Sequence, residues 1–122
     1  MTFTNDYYRH CWNDTWTVCQ KWLARFTSSV VGITPLITFP NTIDLHKVAM
    51  MLPLDRIVLE TDAPYFIPRG GGRDGYLGHT TKKFSLPVHV ANVAAKIASI
   101  RDCRVEEVLW ANRENIRRVY KI

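Results

Sequence analysis

The sequence has 122 residues, of which 47% are apolar and 22% are charged. A chain of this length has room for one domain of ordinary size, and its composition excludes a disordered tail, a collagen-like repeat or a coiled coil. Sixteen Lys and Arg against eleven Asp and Glu give a net charge of +5, which favours phosphate-bearing partners without identifying one. We therefore expect residues 1–122 to form a single domain.

The chain carries no apolar run near the ~20 residues that span a bilayer, so we expect no membrane partner. Its three cysteines, Cys11, Cys19 and Cys103, are odd in number and lack CxxC spacing. This pattern argues against a disulfide framework and against a structural zinc site, and it suits a reducing compartment. We expect an intracellular protein, cytoplasmic or nuclear.

Short β-like segments alternate with longer helix-like segments along the chain. Strands are predicted at residues 7–10, 29–34 and 56–61, the last being a nearly continuous apolar run typical of a strand buried on both faces. Helical spacing of apolar residues predicts four helices, which run from Trp16 to Phe26, Leu45 to Leu52, Leu86 to Ile97 and Val105 to Val119. Residues that can cap or introduce them precede each one: Asn13 to Thr15, Asn41, Ser85 and Asp102.

Residues 63–84 carry two Pro and a Gly-Gly-Gly run without periodicity, which predicts a long loop of the kind that is often functional. The chain is therefore predicted to be an α/β protein with a parallel sheet. Two closures are open at this point. A doubly wound sheet usually has a glycine-rich turn at its ligand site, and no GxGxxG follows any strand, whereas a barrel gathers polar residues from several strand ends.

Two predicted strands end in a potential metal ligand, His10 after the first and Asp62 after the third. The carboxyl ends of parallel strands lie on one face, so these side chains could converge on one ion. Glu60 lies on the same side of its strand as Asp62. It either makes a structural hydrogen bond or binds a metal ligand and orients it. From the pattern alone, a core histidine and a turn-stabilising aspartate are the commoner roles.

Loop residues Tyr65, Arg69 and Arg73 offer aromatic and cationic groups that suit nucleic acid, although a solvated loop has the same composition. His46 and His89 fall on polar helix faces and are predicted to be solvated. Cys11 beside His10 suggests a thiol nucleophile, but neighbouring residues on a strand point to opposite faces, so we set this reading aside.

The segment LDRIVLETDAPY, from Leu54 to Tyr65, resembles the signature of the TatD family of metal-dependent deoxyribonucleases, whose last barrel strand ends in ETDAP. Three further segments resemble the family in order and spacing: His10-Cys11, Val31-Gly32-Ile33 and Asn115 to Tyr120. The resemblance implies a (β/α)8 TIM barrel in which His10 and Asp62 are catalytic and hold a divalent metal ion, Mg, Mn or Zn. In the family pattern, His10 matches a histidine that holds either the metal or the scissile phosphate. The resemblance also implies DNA as the partner, contacted by Tyr65, Arg69 and Arg73.

The family's His-x-His, its bridging Glu and one further His have no counterpart here, and Trp12-Asn13-Asp14 stands where the family has Phe, Thr or Ser, and Gly. The resemblance therefore implies the C-terminal part of a barrel, about three strand-helix units and a final helix, that is weakly active or inactive alone. The missing barrel half or a homo-oligomer would complete it. The alternatives are a noncatalytic nucleic-acid or protein binding module, and a barrel hydrolase that acts on an amide or ester.

Overall fold

The structure, a computed structural model, describes residues 7–63, 65, 66, 69 and 87–122. Ser85 and Arg73, for which a cap and a substrate contact are predicted, lie outside these residues. The strands are β1 (Tyr8–Arg9), β2 (Val30–Ile33) and β3 (Ile57–Leu59), and the helices are α1 (Trp16–Arg25), α2 (Ile43–Met51), α3 (Val90–Arg101) and α4 (Val105–Tyr120). Short 3-10 turns occupy Pro35–Thr38, Leu54–Arg56 and Pro87–His89.

The three strands form one parallel sheet in the order β1-β2-β3. Tyr8 is in register with Val30, and Val31 with Ile57. The predicted α/β class with a parallel sheet is confirmed. The third strand is shorter than predicted, because Arg56 belongs to a 3-10 turn, although the Glu60 amide still donates to the Ile33 carbonyl at 2.9 Å.

The core is built from the strands and from the helix faces that pack on them. All four residues of β2 and all three of β3 are buried, as expected for parallel strands that are covered on both faces. The helices contribute fully buried side chains to the same cluster, among them Cys19, Val48, Val93 and Ile97. Within the part of the chain that the structure describes, every helix is too short or too polar to cross a lipid bilayer.

The predicted helix caps have mixed outcomes. Thr15 is the N-cap of α1, and its hydroxyl accepts from the Val18 amide at 3.3 Å. The Asn41 prediction is wrong, since Thr42 holds the cap position of α2 and Asn41 lies in a left-handed turn. Asp102 does not introduce α4. It ends α3 in the left-handed conformation, which Asp tolerates better than most residues.

Helix α4 covers the edge of β3 that does not pair with β2. The side-chain oxygen of Asn112 accepts from the Leu59 amide at 2.9 Å. The side-chain nitrogen of Asn115 donates to the Ile57 carbonyl at 2.6 Å and to the Leu54 carbonyl at 2.8 Å. Since unpaired backbone groups are costly when buried, these two amides replace a neighbouring strand at this edge.

Candidate metal centre

The structure places His10, Glu60 and Asp62 together at the end of the sheet that follows β1 and β3. One ligand atom from each residue lies within 4.8 Å of the other two. His10 Nδ1 is 2.6 Å from Glu60 Oε1, and His10 Nε2 is 3.3 Å from Asp62 Oδ1. The chain thus brings one imidazole and two carboxylates to a common point, while their roles as ligands stay a prediction.

Asp62 is positioned by a left-handed turn directly after β3. Its φ of 50° lies in the region that Asp enters more readily than bulky residues. The Asp62 carbonyl accepts from the Tyr65 amide at 2.8 Å, which closes the turn. The chain therefore changes direction at the carboxylate, and the polar residue stands where the buried strand stops.

The other side of the site depends on an irregular residue after β1. Cys11 has a φ of 47°, and the Trp12 amide then donates to the Gly32 carbonyl at 2.8 Å, which continues the contact with β2. Trp12 is buried, and its indole N–H donates to the Asp14 carbonyl at 3.0 Å. This turn is closed without the glycine that the family carries there.

The Cys11 thiol itself is not activated. Its sulfur lies 4.0 Å from the Thr34 hydroxyl oxygen, and burial is the largest cause that raises the pKa of the thiol. A raised pKa lowers the thiolate fraction. The geometry agrees with setting a cysteine nucleophile aside.

Glu60 is the most constrained side chain of the cluster. Its carboxylate accepts from the Tyr8 hydroxyl, from the Cys11 amide at 2.8 Å, and pairs with His10 Nδ1. A Cβ atom at Gly32 would lie 2.5 Å from the Glu60 carboxyl carbon, so only glycine leaves room for the carboxylate at this point of β2. Both Glu60 oxygens are therefore occupied by protein donors.

Sequence reasoning missed Tyr8 and Gly32 as parts of this site. Both left a signal. Tyr8 lies two residues before His10 and thus on the same side of its strand, and a glycine inside a buried strand often marks the close approach of another group.

Two pKa shifts describe the electrostatics. The hydrogen bond with Glu60 is the largest cause that raises the pKa of His10. Burial, followed by the bond to Glu60, raises the pKa of Tyr8 far above its usual value, so the phenol remains a neutral donor. Glu60 therefore faces two donors, Tyr8 and the Cys11 amide, that keep their protons at ordinary pH.

The residues fit a divalent metal ion. A carboxylate on one imidazole nitrogen fixes the ring and turns the other nitrogen towards the ligand position, which is the usual arrangement behind a metal-bound histidine. His10 Nε2 and an Asp62 oxygen are then the available ligands, and an imidazole with a carboxylate suits several divalent ions. Glu60 contacts the other imidazole nitrogen of His10, Nδ1.

Of the three predicted substrate contacts, Tyr65 and Arg69 are among the described residues. Tyr65 is exposed, and its amide bonds to Asp62 as described. The Arg69 amide donates to the Thr38 hydroxyl at 2.7 Å, and its guanidinium lies 4.8 Å from the centre of the Phe39 ring.

The prediction that His89 is solvated is wrong, whereas His46 is half-buried and only partly solvated. His46 Nε2 lies 2.8 Å from the Ile37 carbonyl oxygen, and His89 is buried. The apolar stripe of one helix cannot reveal that a turn or a second helix packs against its polar side.

A parallel α/β sheet that carries an imidazole and two carboxylates at its rim defines a protein with a candidate divalent-metal centre of the hydrolase kind. The sequence matches the family described as "TatD related DNase" over residues 2–121. The chain belongs to this family, and its resemblance to the family signature is confirmed.

Individual relatives agree with this assignment. The human protein named 3'-5' RNA nuclease TATDN2 is 30% identical over 115 residues, which are 94% of this chain and 14% of that protein. The Escherichia coli K12 protein named metal-dependent hydrolase YcfH is 30% identical over 92 residues, which are 75% of this chain and 31% of that one. The chain thus spans less than a third of either relative.

Among solved structures, the crystal structure of the TatD homologue YjjV from Escherichia coli K12 superimposes with a TM-score of 0.77 at 21% identity. The match covers 94% of this chain and 40% of that one. At this identity the similarity establishes the fold alone.

Proposed function

We propose that residues 1–122 are a single partial TatD-like domain, the C-terminal part of a (β/α)8 barrel that hydrolyses phosphodiester bonds in DNA. His10 and Asp62 hold a divalent metal ion, Mg, Mn or Zn, in this proposal. The observation that carries it is the 3.3 Å separation of His10 Nε2 and Asp62 Oδ1, supplied by the ends of two different strands. Family membership and the name of the human RNA nuclease support a nucleic acid as the substrate.

In this proposal, some residues position the metal ligands and others take part in the hydrolysis. A bound divalent ion lowers the pKa of a coordinated water and neutralises charge on a phosphoryl oxygen. Glu60 orients His10 so that Nε2 faces the ligand position, and Tyr8 keeps Glu60 in place as a carboxylate. Asp62 accepts the proton of the attacking water. His10, whose side chain is 62% exposed, is open to an approaching phosphate.

Two protein ligands control the geometry of a hard divalent ion poorly. The remaining ligands come, in this proposal, from a further barrel half or from a second copy of the chain. We therefore expect the 122-residue chain alone to bind metal weakly and to be a poor catalyst.

The test is a titration with Mn²⁺, followed by electron paramagnetic resonance, of the wild-type chain and two variants. Asp62→Ala removes a ligand, whereas Asp44→Ala removes an exposed carboxylate of α2 and serves as the matched control. We expect weak binding by wild type and by the control, and none by Asp62→Ala. Equal binding by all three proteins contradicts the proposed centre.

The substrate class is tested on a longer relative that contains the complete barrel. Incubation with single-stranded DNA, RNA, and acyl and lactone substrates separates a nuclease from an amide or ester hydrolase. We expect metal-dependent cleavage of DNA. Cleavage of acyl or lactone substrates alone contradicts the proposal, and cleavage of RNA alone contradicts its choice of DNA.

A noncatalytic nucleic-acid or protein binding module is the second candidate. It is favoured by the small ligand set and by the cationic Arg69 beside an aromatic ring. Nucleic-acid binding by the chain with no metal-dependent cleavage, even when a further barrel half is supplied, would support this module over the nuclease.

A further inference from the structure

A groove lies between the turn that follows β2, the start of α2 and the middle of α3. It is an open groove with a volume of about 590 Å³, which lies within the ~300–1,000 Å³ usual for ligand sites. Its lining includes Phe39, Ile43, His46, Arg69 and Lys96.

The charges of the groove are all positive or neutral. Arg69 and Lys96 supply the cations from two separate segments, and no carboxylate of the described residues lines it. The pocket on the other side of Asn41 and Thr42 is the reverse, because Asp14 and Asp44 line it without any Lys or Arg among the described residues. A polyanion that reaches this rim is therefore directed to the groove and away from the pocket.

The groove also offers a stacking surface. The Arg69 guanidinium lies on the Phe39 ring, and the Phe66 ring meets the edge of Phe39 with centroids 6.2 Å apart. Guanidinium planes and aromatic rings are the groups on which unpaired bases stack, whereas duplex bases are already stacked on one another. The platform suits a single strand.

The stacking surface and the metal centre draw residues from one segment of the sequence. Asp62 begins the segment that continues through Tyr65 and Phe66 to Arg69, and the Arg69 amide is tied to the Thr38 hydroxyl. Phe66 and Arg69 of the stacking surface thus follow Asp62 closely in the sequence.

We propose that this groove binds a second segment of single-stranded nucleic acid, with an unpaired base stacked on the Arg69–Phe39 pair and a backbone phosphate at Lys96. The inference rests on the proposed function in its choice of nucleic acid. It assigns the grip on the strand to the groove and not to the metal centre.

The experiment measures binding of a fluorescein-labelled deoxythymidine decamer to the full 122-residue chain in EDTA, over a series of salt concentrations. Lys96→Ala is compared with Lys47→Ala, an exposed lysine of α2 that does not line the groove. Loss of one phosphate contact on a single strand reduces the slope of log affinity against log salt by about 0.7. We expect this reduction for Lys96→Ala and none for Lys47→Ala.

A second variant separates stacking from charge. Arg69→Lys keeps the cation and loses the planar group, and we expect it to weaken binding of the decamer roughly fivefold or more. Binding of an abasic strand of the same length should be unchanged, because it has no base to stack. Circular dichroism confirms that each variant is folded.

An unchanged salt slope for Lys96→Ala contradicts the proposal. So does an equal loss of affinity for the decamer and for the abasic strand in Arg69→Lys. Mn²⁺ binding to the wild-type chain tests the metal centre separately. If the wild-type chain binds Mn²⁺ but Lys96→Ala leaves the salt slope unchanged, the proposed function stands and the groove proposal is wrong. If Lys96→Ala reduces the salt slope but the wild-type chain does not bind Mn²⁺, the groove proposal stands and the proposed metal centre is wrong.

Discussion

The rim cluster and the covered edge of β3 use polar side chains in opposite ways. At the rim, His10, Glu60 and Asp62 concentrate ionisable groups, and His10 remains open to solvent. At the edge, Asn112 and Asn115 use neutral amides to satisfy buried backbone groups. The rim tolerates its charges because they pair with one another, whereas an amide meets both donors and acceptors without introducing a charge.

This difference teaches where stability and chemistry reside. Removal of a rim ligand takes away a charge that is partly open to water, which the fold can accommodate. Removal of an edge amide leaves backbone groups in the interior without partners, which is costly. Substitutions in the two regions should therefore separate folding from metal binding.

The largest expected effect is on stability, from Asn115→Ala. The Ile57 carbonyl loses its side-chain donor, at about 1–3 kcal/mol for an unsatisfied buried group, and the Leu54 carbonyl loses one of two donors, at about 0.5–1.5 kcal/mol, because the Ile57 amide still donates to it. We expect the free energy of unfolding in urea to fall by roughly 2–4 kcal/mol. Glu114→Ala, an exposed change on the same helix, should stay within about 0.5 kcal/mol of wild type. A loss for Asn115→Ala no larger than that of the control would break the comparison.

Gly32→Ala should lower both the stability of the fold and the metal affinity of the rim cluster. The new Cβ would lie 2.5 Å from the Glu60 carboxyl carbon, so the carboxylate must leave its three donors. Overpacking of this kind costs about 1–3 kcal/mol, and the Mn²⁺ affinity should fall with it. In urea denaturation, the double variant Gly32→Ala with Glu60→Ala should be less destabilised than the sum of the single variants. Strict additivity would mean that the two residues do not meet.

Glu60→Gln sharpens the assignment of Glu60 as the residue behind the ligands. The amide has a single oxygen, so only one of the Tyr8 hydroxyl on Oε1 and the Cys11 amide on Oε2 keeps its acceptor. His10 loses its charged partner. We expect Mn²⁺ affinity to fall about 10–100-fold, as for other residues that orient a metal ligand. Complete loss of binding would instead make Glu60 a direct ligand.

The same variant predicts the direction of a pKa change in the metal-free protein. The hydrogen bond with Glu60 is the largest cause that raises the pKa of His10, so its loss should move the titration midpoint down towards the ordinary imidazole value. An NMR titration of the His10 ring protons measures this midpoint. An unchanged or higher midpoint contradicts the pairing.

The smallest expected effect concerns the apolar core beneath both regions. Burial raises the pKa of the Cys19 thiol to about 11, and the residue is fully buried. In the folded chain at mildly alkaline pH, iodoacetamide should label the partly exposed Cys103 and leave Cys19 unmodified, as read by mass spectrometry. Equal labelling of these two cysteines would show that the core opens readily.

Local patterns predicted the elements well. Alternating apolar segments located β2, β3 and α1 because burial on a parallel sheet demands continuous apolar strands and striped helices. Cap residues were less certain, since Asp102 can begin a helix or end one. Which of these it does depends on how α3 and α4 pack, and not on its neighbours in sequence.

The site was partly visible for a similar reason. His10 and Asp62 stand at strand ends, where parallel topology alone gathers side chains. Tyr8, Gly32 and the contact of Arg69 with Phe39 depend on the register of β1 with β2 and on the path of the chain after β3. No spacing rule within one segment contains that information.

By itself, the sequence determined the kind of elements, the parallel sheet and the two strand-end ligand candidates, because these follow from apolar periodicity and from which residues interrupt it. Only the tertiary structure decided that Glu60 lies behind His10 and that Asn115 covers the edge of β3. Both depend on contacts between distant segments, whose geometry is set by packing across the whole domain.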